Sequence, residues 1–359
     1  MKKTYLYDWH VAHGAKMVEF GGYLMPVSYE GVLAEHEAVR SACGLFDISH
    51  MGEIYISGQG ALNYVQQLTS NDASQLKEHE AQYSLLMHSD GYAIDDILVY
   101  RLEDGVFLLC VNAGNAQRDW EWIESHVPEG VRVRNATEST GMIALQGPRS
   151  VELLSRLKID LLALKKFSTL RVKIENTECL LSRTGYTGEE GCEFFLPAEH
   201  SQDLWETLLK NGADLGCVPV GLGARDTLRL EMGYVLYGHE LNEQINPLEA
   251  GLSWVVKFSK RDFFGKEALL QVKEEGLKRK ITGVLMEERG IPREGMALIQ
   301  GTEKIGELVS GTLSPSLHRV VGTALVDLPF LEQPGQIFVD IRGKMKKAKF
   351  TKPPFIQRT

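Results

Sequence analysis

The chain has 359 residues, 43% hydrophobic and 24% charged, with 39 Lys and Arg against 48 Asp and Glu for a formal net charge of −9. Its length exceeds the about 250–300 residues at which single cores stop growing, so two or three domains are expected, and the ordinary apolar content argues against extended disorder. The acidic balance disfavours a nucleic-acid partner, which calls for a basic domain or stripe.

No apolar run approaches the roughly 18 residues of a membrane-spanning helix, so no membrane role is expected. The opening MKKTYLYDWHVAHG carries two lysines with no apolar stretch behind them, which does not suit a secretory signal. Cys43, Cys110, Cys179, Cys192 and Cys217 are scattered with no C-x-x-C pair, a pattern of buried thiols rather than disulfides or zinc. A reducing compartment is expected: the cytoplasm, or a mitochondrial matrix in a eukaryote, although no transit peptide is visible.

In chain order, a helix is expected over 30–42, an alternating strand at 52–57 (GEIYIS) and a second helix over 60–69. Two β runs, 97–102 (ILVYRL) and 106–111 (VFLLCV), flank the turn-like Glu103-Asp104-Gly105. Ala116, Trp120, Ile123 and Val127 recur at helical spacing and predict a helix over 114–126. Further helices are expected over 199–211 and 264–275, with a turn at 246–253 leading into a strand WVVKF (254–258). After the charged Lys278-Arg279-Lys280, the last 80 or so residues are short apolar runs, beginning with ITGVLM (281–286) and broken by Gly and Pro, as in an all-β module. Helices and strands before residue 278 follow no regular βαβ rhythm, which favours an α+β class.

Four segments place Gly, Asp, Glu, Arg and Tyr where a core would place aliphatics. In GYAIDDILVY (91–100), Asp95 and Asp96 point to opposite faces if extended, so one can face a site while the other caps a turn. The plainer alternative is that both are turn residues. In SRTGYTGEEGCE (182–193), a tight loop precedes Glu193 at the opening of the strand EFFL, where a carboxylate suits a planar group with two adjacent N–H donors. An exposed acidic hairpin is the alternative. VGLGARDTLRLE (220–231) lacks the third glycine of a dinucleotide fingerprint. NPLEAGLSW (246–254) reads as a turn. Ser49-His50 and the His10/His13 pair lack a nucleophile elbow or a third partner, and read as satisfied or surface histidines. No carboxylates at metal-ligand offsets accompany the Asp pair, so no metal is expected.

Taken together and in order, these segments resemble the aminomethyltransferase (T-protein) family of the glycine cleavage system over essentially the whole chain. The resemblance rests on residues 20–53, LTSND (68–72), DDILVY (95–100), VNAGN (111–115), ALQGP (144–148), SRTGYTGEEG (182–191), GLGARDTLRLE (221–231), LYGHEL (236–241) and EAGLSW (249–254), then SGTLSPSL (310–317) and KPPF (352–355). It implies a three-domain cloverleaf with the folate in a central channel. Residues 1–52 plus 136–240 would form one α+β domain, 53–135 plus 241–277 a second, and 278–359 an antiparallel β-barrel.

The implied reaction moves a methylene group from an aminomethyl-dihydrolipoyl carrier (H-protein) to the co-substrate tetrahydrofolate, releasing ammonia, with no metal or covalent cofactor. The same resemblance makes Asp96 the essential aspartate, beside the folate nitrogens that receive the methylene. Glu193 becomes the grip on the amino-pyrimidine edge, and Tyr83, Asn112, Tyr186, Arg225, Tyr100 and Met51 become further folate contacts. The chain departs from the family pattern with Tyr92 in place of Gly, Cys192 in place of an aromatic residue and Asn246 in place of Thr. Competing implications are another folate-dependent one-carbon transferase or demethylase, and a non-catalytic folate-binding iron–sulfur assembly factor, whose KGCYxGQE motif is absent. Finally, residues 342–352 hold six cations and no acid, either a cationic rim for anionic partners or an edge strand kept soluble by lysines.

Overall fold

The computed structural model describes residues 1–358 and divides them into two compact units: Met1–Leu86 with Asp95–Arg225, and Met87–Ile94 with the chain from Asp226 onward. In the first unit, Lys2–Lys3 (β1), Lys16–Phe20 (β2) and Tyr23–Ser28 (β3) form a small sheet near the helix Tyr7–Ala12 (α1). Helix Val32–Ser41 (α2) leads into Cys43–Asp47 (β4). Next come Gly52–Gly58 (β5), Ala61–Leu68 (α3), Glu80–Met87 (β6), Ala93–Arg101 (β7), Phe107–Val111 (β8), Ala116–Ser125 (α4) and Val131–Asn135 (β9). Their strands make a five-stranded sheet ordered β6-β7-β8-β5-β9. Thr140–Gln146 (β10), Ser150–Arg156 (α5), Thr169–Ile174 (β11), Thr177–Ser182 (β12), Gly191–Pro197 (β13), Ser201–Gly212 (α6), Cys217–Pro219 (β14) and Leu222–Glu231 (α7) follow. With β4, these strands form a six-stranded sheet ordered β11-β12-β13-β10-β4-β14.

Alternation along the strands divides the work of each sheet. On β10 and β13, Ile143, Leu145, Phe194 and Leu196 pack with Leu153, Leu204, Trp205 and Leu208 of α5 and α6 in one buried cluster. The intervening Met142, Ala144, Glu193 and Phe195 then point the other way. In the second unit, Lys266–Glu275 (α8) precedes a closed antiparallel barrel of Arg279–Met286 (β15), Ala297–Gln300 (β16), Glu303–Ser314 (β17), Arg319–Asp327 (β18), Ile337–Ile341 (β19) and Lys344–Thr351 (β20), with the short helix Leu328–Glu332 (α9) after β18. Val284, Leu298, Leu308, Val326 and Val339 fill its core.

The expected helices at 30–42, 60–69, 114–126, 199–211 and 264–275 are α2, α3, α4, α6 and α8. The α+β class and the C-terminal barrel are likewise as expected. Two expectations fail. WVVKF is not a strand: Ser253–Val255 is a 3₁₀ turn, with Val255 and Val256 buried beside an exposed Trp254. Nor is β20 an edge strand, because it pairs with β15 on one side and β19 on the other. Its lysines are partly neutralised, with Lys347 and Lys349 at 3.7 and 4.0 Å from Glu287. All five cysteines are free and buried, as their spacing implies.

A buried charge network ties α7 to the barrel. Arg229 contacts Glu240 at 3.0 Å, Asp226 at 2.9 Å and the Ser310 hydroxyl at 3.1 Å, while Thr323 donates to Glu240 at 2.5 Å. Burial alone would push the Glu240 carboxyl up, but Arg229 and the hydroxyl donors override it and hold the group below the usual carboxylate range. Glu240→Ala, which leaves Arg229 buried without its main partner, is expected to cost about 3–5 kcal/mol in denaturant unfolding of the full chain. For wild type, the contribution of this depressed carboxyl is present above the unfolded pKa and is lost as pH falls through the folded one.

Candidate active site

The site grows from one face of the five-stranded sheet. Asp95 and Asp96 are consecutive on β7, so their side chains leave opposite faces. Asp95 is fully buried and accepts from the Asn112 backbone N–H at 2.7 Å, Asn112 Nδ2 at 3.0 Å and Asn115 Nδ2 at 2.6 Å. Asp96 emerges on the other face and keeps partial exposure, its Oδ2 accepting from the Tyr83 hydroxyl at 3.1 Å and its Oδ1 from Asn112 Nδ2 at 3.0 Å. Asn112, just past the end of β8, thus clasps both acids.

Strand register orders the rest of that face. Leu98 of β7, Cys110 of β8 and Glu53 of β5 form one row, and Tyr100, Leu108 and Tyr55 the next. Asp96 and Asn112 lie beyond the first row, and Met51 lies one residue past the Gly52–Val111 pair, at the same end. This face packs on the outward residues of β10 and β13. Cys110 Sγ lies 3.7 Å from Met142 Sδ, and the Tyr100 ring meets Phe195 edge-on with centroids 5.4 Å apart.

Glu193 sits in that layer, 6% exposed, with Thr184 donating to its Oε2 at 2.5 Å. Burial raises the Glu193 carboxyl, with the Thr184 hydrogen bond and the Arg225 charge opposing. The loop between β12 and β13 is stapled from beneath. Gln146 Nε2 donates to Thr184 O at 3.2 Å, Thr187 donates to Gln146 Oε1 at 2.8 Å, and Arg40 binds Thr187 O and Glu189 at 2.6 and 2.8 Å. Tyr186 is presented on this loop, with the Arg225 guanidinium 4.7 Å above its ring. Burial pushes the Tyr83 phenol well up, and the charges of Asp96 and, more weakly, Tyr186 and Asp95 add to it, so the two halves of the constellation adjoin. Tyr100 lies deeper than the rest, its phenol raised by burial and then by the Glu193 charge.

Burial and then the negative charge of Asp95 push the Asp96 carboxyl up to about 7, against the hydrogen bonds from Tyr83 and Asn112. A carboxyl poised there can hold or release a proton near neutral pH and can become a fixed anion beside a developing cation.

Comparison with known proteins agrees with this geometry. Residues 6–260 match the GCVT N-terminal domain and residues 279–357 the glycine cleavage T-protein C-terminal barrel domain. The aminomethyltransferase of Desulforamulus reducens is 49% identical over 359 residues, covering 100% of this chain and 99% of its own. That of Chlorobaculum tepidum is 46% identical over 363 residues, covering 99% of each. The crystal structure of the glycine cleavage system aminomethyltransferase T from Bartonella henselae superposes with a TM-score of 0.92 at 32% identity, covering 99% of this chain and 98% of that one.

The chain belongs to the glycine cleavage T-protein family. Membership makes it an enzyme, an aminomethyltransferase, and the demethylase and iron–sulfur assembly readings are not favoured.

Within this T-protein chain, several polar residues of the site had no separate signal in the sequence. Asn115 and Thr184 act by holding Asp95 and Glu193, contacts made only in the folded chain. His10 is satisfied at both nitrogens, by Asp47 at 3.0 Å and the Tyr29 hydroxyl at 2.8 Å. His50 differs from the expectation: it is buried with Nδ1 unpartnered, and burial and the Arg225 charge hold it down at about 4, a neutral ring.

The raised Asp96 has a stability consequence with a definite sign. The folded chain holds a proton on Asp96 up to about pH 7, whereas the unfolded chain loses it near the ordinary value of about 3.9. Stability of the unliganded protein therefore falls as pH rises through that window. Asp96→Asn removes the penalty and is expected to raise stability at pH 8 by on the order of 1–3 kcal/mol, with little gain near pH 4. Thermal unfolding at the two pH values reads the difference, and equal stabilities at pH 8 would contradict a raised Asp96.

Proposed function

We propose that this enzyme transfers the methylene group of an aminomethyl-dihydrolipoyl carrier protein to tetrahydrofolate, releasing ammonia and forming 5,10-methylenetetrahydrofolate. The observation that carries the reading is Asp96, a carboxyl poised near neutrality and fixed by Tyr83 and Asn112 in the same layer as the buried Glu193. The donor set fits a reduced pterin. A buried carboxylate braced by Thr184 suits the adjacent N–H groups of an amino-pyrimidine edge, because parallel charge-assisted bonds fix orientation as well as affinity. Tyr186 under the Arg225 guanidinium forms a stiff flat wall, and Tyr100 and Met51 complete the lining.

Asp96 is then the catalytic residue. As an anion it orients the accepting nitrogen and stabilises positive charge that develops as the carbon–nitrogen bond to the departing amine breaks. Near neutral pH it can also take up a proton there. Tyr83 and Asn112 hold its two oxygens, so little reorganisation accompanies the charge change.

We further infer three domains: residues 1–52 with 136–240, residues 53–135 with 241–277, and the barrel from 278 on. The six-stranded sheet, the five-stranded sheet and the closed barrel support this division in turn. The five free, buried cysteines support a reducing compartment, the cytoplasm in a bacterium.

A methylene-transfer assay with loaded carrier and tetrahydrofolate, beside a carrier-free control, tests the reading. Asp96→Asn is expected to bind folate nearly normally and to lose about 10²–10⁴-fold in turnover. Glu193→Ala should instead weaken folate binding by roughly 1–3 kcal/mol, read as a smaller folate-induced rise in melting temperature. Wild-type turnover in Asp96→Asn, or an unchanged shift in Glu193→Ala, would remove the respective residue from its role.

A further inference from the structure

Behind Asp96, on the covered face of the five-stranded sheet, lies a third acid that the reaction does not use directly. Asp119, in the first turn of α4, is completely buried, and neither of its side-chain oxygens accepts a hydrogen bond. Its carboxyl is within hydrogen-bonding reach of Asp95, itself buried and already accepting three N–H donors from Asn112 and Asn115. Two buried carboxylates in contact, one with no donor of its own, cannot both be charged at reasonable cost. A proton shared between them resolves the geometry: Asp119 O–H donates, and Asp95 remains the anion its three N–H donors call for.

We propose that Asp119 is a protonated positioning residue, whose O–H···Asp95 hydrogen bond confines one negative charge at Asp95 and through it sets the ionisation of Asp96. The charged and titratable groups around the pair agree. Asp95 and Asp96 of β7 disfavour a charge on Asp119, and Arg118 on the neighbouring position of α4 favours one but is outweighed by burial. Tyr83 of β6 and Cys110 of β8 are themselves raised by their surroundings and stay neutral. Arg118 reaches Asp95 through a relay, donating to Asn115 Oδ1 at 3.2 Å while Asn115 Nδ2 donates to Asp95. No proton leaves the pair at neutral pH: it stays bonded to Asp119 and is shared with Asp95. The inference rests on Asp96 being the catalytic carboxyl, but the location of the proton does not.

The test has two arms. In infrared difference spectra of Asp119→Asn against wild type at pH 8, the carbonyl stretch of a protonated carboxylic acid should be present in wild type and missing from the variant. This arm needs no turnover, so it stands even if the aminomethyl-transfer reading fails. In the second arm, the pH profile of kcat is compared among wild type, Asp119→Asn and Asp119→Ala. The amide of Asp119→Asn still donates to Asp95, so its profile should match wild type to within a few tenths of a pH unit. Asp119→Ala removes the donor, so Asp95, still held as an anion by its three N–H donors, loses the O–H that offsets its charge and opposes ionisation of Asp96 more strongly. The limb assigned to Asp96 should therefore move to higher pH by about one unit. Absence of the acid band in wild type, or a loss of activity in Asp119→Asn as large as in Asp119→Ala, would overturn the proposal. If Asp119→Ala does not fold, the band and the Asp119→Asn profile decide the matter alone.

Discussion

The site depends on one constraint of the extended chain: neighbouring residues on a strand cannot share a face. Asp95 and Asp96 are therefore separated by the sheet itself, one sealed among N–H donors and the other delivered to the opposite side. Had both been turn residues, each would have found water or a nearby backbone N–H and ionised normally. Placed back to back, the inner charge is close enough to oppose ionisation of the outer one, and the protein interior does not screen it. Asn112 spans the two, so the distance between the charges is fixed by the covalent geometry of a single side chain together with the strand.

The facing sheet supplies the complementary half by the same alternation. Glu193 and Phe195 leave β13 on the side away from the cluster that holds Phe194 and Leu196, so the aliphatic core and the polar layer are products of one strand. Two of the polar elements in that layer have a buried brace: Thr184 for Glu193, and Gln146 with Arg40 for the loop carrying Tyr186. Such second contacts keep a binding constellation from relaxing when no ligand is present.

Much of this was legible in the sequence, and the exceptions have physical reasons. Helices with a clear apolar stripe, such as Ala61–Leu68 with Tyr64, Val65 and Leu68 inward, announced themselves. So did alternating strands such as β5 and the Gly- and Pro-punctuated barrel. The helices α1 and α5 did not, because six and seven residues offer too few turns for a period to show, and the glycine-rich opening of α7 hid its period. WVVKF looked like a strand because its residues are strand formers, yet Ser253–Val255 closes as a 3₁₀ turn, tertiary context overriding that preference. At the site, the Asp pair and Glu193 could be singled out by composition alone, but their roles came from family resemblance. Asp119 and Thr184 could not be singled out at all, since their importance lies in which carboxylate they touch across the fold.

The central claim is that Asp96 enters the catalytic cycle as a carboxyl balanced between its two protonation states. The most direct measurement is a carbon-13 nuclear magnetic resonance titration of aspartate carboxyl groups in the unliganded enzyme, with the Asp96 signal assigned by its loss in Asp96→Asn. A midpoint near 7 for that signal, far above the exposed aspartates at about 4, is the predicted result. A midpoint in the ordinary aspartate range would contradict the account, because the sheet would then have placed two acids back to back without either one altering the other.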